Sequence, residues 1–170
     1  NSNTTGDYGT AVGYLALEEC TTGVRNTALG AQALREVTTG GNNTAAGFNA
    51  LLNTTTGSEN VAFGYGVLQA NTTGTKNVGI GVSALKTSTT QGSNTAIGWH
   101  ALAANTTGTS NVAVGPETLD ANTTGSQNIA IGHNALGANT TADDNTAVGH
   151  AALKTNTTGE KNNAFGYKAL

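Results

Sequence analysis

The chain has 170 residues, of which only 10% are charged and 5% aromatic, with one Cys, no Met and a formal net charge of −3. So few rings argue against an ordinary globular core, a negative balance leaves no basic field for a nucleic-acid backbone, and a lone Cys rules out an intrachain disulfide framework. No run of 18 apolar residues occurs, so no membrane insertion by this segment is expected, and the first residues lack the charged-then-apolar pattern of an export signal.

One unit accounts for the whole chain. Glycines recur at positions 13, 30, 47, 64, 81, 98, 115, 132, 149 and 166, always 17 residues apart and without an insertion. Ten such units make up the 170 residues, so residues 1–170 read as a single repeat domain, an excised fragment of a longer fibre. A helix-pair repeat needs roughly 33 residues or more and a leucine-rich unit roughly 20–29. The Thr-Thr-Gly and Asn-rich stretches also have poor helix propensity. The fold expected is all-β: a β-solenoid or parallel β-roll of ten 17-residue coils. Each coil rises about 4.8 Å, which gives a rod on the order of 48 Å long.

Within the unit, Asn stands four residues before the Gly in nine of ten cases: Asn26, Asn43, Asn60, Asn77, Asn94, Asn111, Asn128, Asn145 and Asn162. These are predicted to form a structural ladder, each amide bonding the next coil and the local backbone. A strand follows, as in Asn111-Val112-Ala113-Val114-Gly115, with Val112 and Val114 on one face and Ala113 on the other. The Ala113 column admits nothing larger than methyl, which implies another backbone close by. Neither strand face carries a charge, so burial on both is expected, one face inside the coil and one against another chain. A homo-oligomer follows from that.

Leu stands four residues after every Gly, from Leu17 to Leu170, and reads as core. Two consecutive Thr complete each unit and read as a second short strand closed by a turn. All seventeen Lys, Arg, Asp and Glu fall at five of the seventeen positions: two, five, six, eleven and twelve residues after the Gly. Those five must be outward corners, since an unpaired charge is rarely buried.

The segments SNVAVG (110–115), QNIAIG (127–132) and SNTAIG (93–98) resemble the short Ser-Val-Ala-Ile-Gly core repeated in the heads of trimeric autotransporter adhesins. Similar Asn-Thr-Ala-x-Gly-x-x-Ala-Leu units occur in phage tail fibres and large bacterial surface proteins. The likeness covers every repeat, although the unit here is a few residues longer and Asn usually replaces Ser. It implies a left-handed parallel β-roll, three chains about one axis, and an extracellular place on a cell surface or virion.

The position just after the Gly holds Tyr14, Phe48, Tyr65, Trp99, His133, His150 and Tyr167, interrupted by Ala31, Val82 and Pro116, with His100 in the neighbouring column. Stacked rings covering a strand edge explain this row structurally. As a functional surface, Tyr14, Phe48, Tyr65, Trp99, His100, His133, His150 and Tyr167 are the candidate ligand-binding residues for a host-surface protein or carbohydrate. His133 and His150 lie one coil apart, but no Cys or carboxylate shares their column, so no metal and no cofactor are expected.

GIGVSA (79–84) mimics a dinucleotide fingerprint, yet Gly79 merely replaces an Ala and no helix follows. Asp143-Asp144 reads as a solvated corner, and Cys20 as a buried, inert thiol. Glycosylation sequons occur at Asn3, Asn53, Asn71, Asn105, Asn122, Asn139 and Asn156, where turn chemistry is the simpler reading.

The function expected is a structural and adhesive module, a trimeric rod that presents receptor-binding residues. An ice-binding solenoid using its Thr ladders is the alternative, although adjacent Thr side chains point to opposite faces and leave one rank for ice. An acyltransferase on a hexapeptide-type helix, with His133 or His150 as base, fits poorly because the apolar positions do not recur every six residues. The protein is not expected to be an enzyme.

Overall fold

In a computed structural model that describes residues 4–170, ten strands of three residues form one parallel sheet in strict chain order. The strands are β1 (Thr10–Val12), β2 (Thr27–Leu29), β3 (Thr44–Ala46), β4 (Val61–Phe63) and β5 (Val78–Ile80), then β6 (Thr95–Ile97), β7 (Val112–Val114), β8 (Ile129–Ile131), β9 (Thr146–Val148) and β10 (Asn163–Phe165). Each pairs with the next in a register of 17, for instance Ala96 opposite Ala113. The chain is therefore a β-solenoid with one strand per coil.

The middle residue of each strand points inward. From Ala28 to Ala147 the alanine column is fully buried, and it packs on the Leu column of the same chain, where Leu34 through Leu136 are also fully buried. The close neighbour expected beside the alanines is thus the chain's own next turn. Gly79 shows how tight this is. A methyl at Gly79 would run into Val67 Cγ1 and lie 3.6 Å from Leu68 Cδ1. Coil four carries Val67 where eight other coils carry Ala and coil seven Thr118, and coil five answers by deleting a methyl.

The ten leucines, Leu17 to Leu170, all have φ between 48 and 58°. An L-residue in that region costs on the order of 1–2 kcal/mol, so the coils from Leu17 to Leu153 hold strain that burial of the Leu must offset, whereas Leu170 at the end of the stack is exposed and departs from the core expected of its column. The position 0 glycines need their identity for a second reason: at Gly81, with φ of +116°, an added Cβ would lie 2.6 Å from the Gly98 carbonyl oxygen.

The Thr-Thr-Gly step is not a strand, which corrects the expectation from sequence. Instead, three successive N–H groups converge on one oxygen: Thr21, Thr22 and Gly23 donate to the Thr38 carbonyl at 3.0, 3.1 and 3.1 Å. The Thr21 hydroxyl donates to the same carbonyl at 3.0 Å. A β ladder needs N–H and C=O to alternate in direction along the chain, and this nest turns all three N–H groups the same way. In most coils, as at Thr38, Thr55, Thr72, Thr106 and Thr123, the hydroxyl of the first Thr is spent on coil-to-coil bonding.

The asparagine ladder runs through the interior. Asn43 donates its backbone N–H and its Nδ2 to Asn26 Oδ1 at 3.0 and 3.1 Å, and sends its other amide hydrogen to the Gly57 carbonyl at 2.9 Å. The pattern repeats at Asn60, Asn77, Asn111, Asn128 and Asn145. Among the described residues no Lys, Arg, Asp or Glu is buried. The corners do carry the charge.

Candidate functional site: the outward sheet face and its ring column

The first and third residues of each strand face outward, and in the single chain they are not covered. Val12 is 56% exposed, Leu29 53% and Phe165 70%, and Phe63, Ile80, Ile97, Ile129 and Ile131 are exposed too. None of these twenty outward strand positions is charged. The third-position column, from Val12 to Phe165, is apolar throughout, while the first-position column mixes Val and Ile with Thr10, Thr27, Thr44, Thr95, Thr146 and Asn163. An exposed apolar band of this length is the kind of feature that interaction surfaces carry.

The ring column borders this band, because the turn at the Gly carries the next residue outward. Tyr14, Phe48, Tyr65, Trp99 and Tyr167 are all exposed. His133 and His150 are exposed and His100 is half-buried. The structure brings them together as three separate stacks rather than one ladder. Phe48 and Tyr65 stack with centroids 5.7 Å apart, Trp99 lies on His100 at 4.2 Å, and His133, His150 and Tyr167 follow at 5.1 and 5.3 Å. Val82 and Pro116 separate the stacks, and Tyr14 has no ring partner among the described residues.

Two carboxylates, Glu117 and Asp120, lie beside the second and third stacks. His133 Nε2 is 3.4 Å from Glu117 Oε2, both partly exposed. Asp120 is pushed above the usual carboxylate range, chiefly by burial and then by Glu117, while backbone N–H groups and His100 pull it the other way. Among the described residues no three of His, Cys, Asp and Glu gather to hold a metal ion. No helix is long and apolar enough to cross a membrane.

The opposite side of each coil holds what the sequence disclosed less well. Seven residues after the Gly, a second interior ladder runs through Asn105, Asn122 and Asn139: Asn122 Nδ2 donates to Asn105 Oδ1 and Asn139 Nδ2 to Asn122 Oδ1, both at 2.9 Å. Four sequon asparagines, Asn71, Asn105, Asn122 and Asn139, are thus fully buried. The signal was present in the column, but the sequon reading drew attention to single sites instead. Asn3 lies outside the described residues. Cys20 is buried in the same column, and burial pushes its thiol up. At the corners Arg35 Nε donates to Glu18 Oε2 at 2.9 Å across adjacent coils.

Compared with protein families, with characterised proteins and with solved structures, the chain matches none.

Proposed function

We propose that this chain is a stiff segment of a homotrimeric surface fibre, a bacterial adhesin or a phage tail fibre, whose ring column meets a host-surface protein or carbohydrate outside the cell. The observation that carries the reading is the uncharged outward strand face. Ten coils at about 4.8 Å, each giving four residues from the strand to the Gly at about 3.3 Å, present roughly 630 Å². That lies at the lower end of the area one partner contributes to a standard stable interface, with the ring column left outside it. Sister chains laid along the same face would bury Val12, Leu29, Phe63 and Ile80 against their equivalents and leave the corner charges in water.

The stiffness has its own support. Ten strands in register and an asparagine ladder join every coil to the next with no insertion. The threonines serve the same end. Their first rank gives its hydroxyls to the next coil's carbonyls, as Thr38 does to Thr55 at 3.2 Å, which leaves a single outward rank and little of the flat array that ice requires.

Light scattering on the purified chain tests the assembly. Three chains of 16.9 kDa give about 51 kDa, the expected result. A monodisperse mass of one chain would overturn the reading. Replacing Tyr65, Trp99 and Tyr167 together by Ser then tests adhesion, with loss of binding to host surfaces at unchanged mass as the expected outcome.

A further inference from the structure

We propose that Asn53 is an acceptor site for an N-linked sugar, added to the folded rod by a glycosyltransferase that uses a phosphate-activated sugar donor. The case begins with a one-residue slip. In coils four and six to nine the Asn of Asn-Thr-Thr stands seven residues after the Gly, where it points inward; in coil three the stretch is Asn53-Thr54-Thr55-Thr56, and Asn53 stands six after. At this corner successive residues pass between surface and interior, Asn53 half-buried, Thr54 buried and Thr55 half-buried, so a slip of one residue moves Asn53 off the inward column. Thr54 takes the interior place and is fully buried, while Asn53 turns out to a corner that elsewhere carries Glu19 and Glu36.

The consequence for chemistry is direct. Asn53 is half-buried, and its side chain makes no hydrogen bond among the described residues, so both amide hydrogens are available. Thr55 is half-buried beside it and donates its hydroxyl to the Thr72 carbonyl at 3.2 Å, which leaves the oxygen's lone pairs for the enzyme. Asn-x-Thr is the acceptor pattern of N-glycosylation, which needs a surface amide. The interior sequons fail that need. Both hydrogens of Asn122 Nδ2 are engaged, with Asn105 Oδ1 at 2.9 Å and the Gly125 carbonyl at 2.8 Å. Asn156 is tied at both ends to Gly159, its Nδ2 donating at 2.8 Å and its Oδ1 accepting at 3.1 Å.

In the transfer, a bond forms between Asn53 Nδ2 and the sugar's anomeric carbon. The bond from that carbon to the donor's phosphate oxygen breaks, the phosphate leaves with the electron pair, and the amide proton passes to a base of the transferase. A sugar placed on Asn71, Asn105, Asn122 or Asn139 before folding would have to enter the coil interior, so the modification follows folding. Another exposed sequon, Asn42-Asn43-Thr44, has its Thr on the outward sheet face assigned above to sister chains.

The test incubates the folded protein with a soluble asparagine glycosyltransferase and UDP-glucose, and maps hexose by peptide mass spectrometry. Hexose is expected on Asn53, lost in Asn53→Gln and in Thr55→Val, with circular dichroism unchanged. Asn71, Asn105, Asn122 and Asn139 are expected to accept hexose only after the chain is unfolded in urea, and chains so modified to fail to refold. An Asn53 that stays bare in the folded rod while the unfolded chain accepts hexose there overturns the proposal, as does equal labelling of interior and corner sites in the folded rod. Hexose on Asn53 supports it whether or not Asn42 is labelled, because labelling at Asn42 reports on whether the sheet face is covered.

Discussion

The second asparagine ladder has a break whose repair should be measurable. Asn71 is fully buried, and its Oδ1 has no hydrogen-bond partner. In later coils that acceptor is met by the amide above, as Asn105 is by Asn122, but coil five carries Ser88 instead of Asn. The Ser88 hydroxyl oxygen accepts from Gln91 Nε2 at 2.6 Å, and the shorter Ser88 side chain makes no hydrogen bond to Asn71 Oδ1. Gln91 stands where most coils have Gly and also fills the nest, its Oε1 accepting from Thr89 and Thr90 N–H at 3.2 and 2.8 Å. Ser88→Asn alone would therefore crowd Gln91. The double change Ser88→Asn with Gln91→Gly restores the arrangement of coils six and seven and gives Asn71 its donor. Relief of one orphaned buried acceptor is worth about 1–3 kcal/mol. In a chain of this length each kcal/mol moves the melting point by about 2–4 °C. The assay is urea and thermal unfolding followed by circular dichroism, at an oligomer mass confirmed to match the parent. A double variant no more stable than the parent, with unchanged denaturant slope, would refute the account of the break.

Two adjacent residues test the division between core and corner. Leu85→Asp should abolish folding, because a carboxylate in the fully buried Leu column has no partner, whereas Lys86→Asp at the neighbouring corner should cost within about 0.5 kcal/mol; similar unfolding midpoints for both would contradict the burial pattern. Asp120 offers a pH test. Its carboxyl holds its proton more tightly folded than unfolded, so the charged form destabilises the fold, and this loss appears as pH rises through the elevated value. Asp120→Asn should accordingly melt higher than the parent at neutral pH, with the gap closing below the ordinary aspartate range; a gap that does not change with pH would show that Asp120 acts through packing.

The period, the strand and the charged corners were legible because each is a property of a column, and ten copies average out local accident. Ala113 read as a tight position for the right reason, yet the sequence alone did not say that the crowding in this column comes from the same chain, as Val67 and Leu68 crowd Gly79. The Thr-Thr-Gly step was misread because Thr favours strands locally, while the fold uses the three N–H groups as a convergent nest. The left-handed conformation of Leu102 and its counterparts leaves no trace in composition, since Leu is a poor choice for it and is there for its bulk. The ring column was visible as residues, but its division into three stacks depends on where Val82 and Pro116 interrupt it.

Because most turns of the chain offer their neighbours the same strand and asparagine bonds, most can be followed by most others, the matched pair of coils four and five with Val67 and Gly79 being the exception. Loss or gain of a single 17-residue segment by unequal recombination would join two surfaces that largely fit already, changing the length of the solenoid by one rung of about 4.8 Å. The gene then works as a ruler, in which length is free to drift under selection while the shape of each cross-section stays constant.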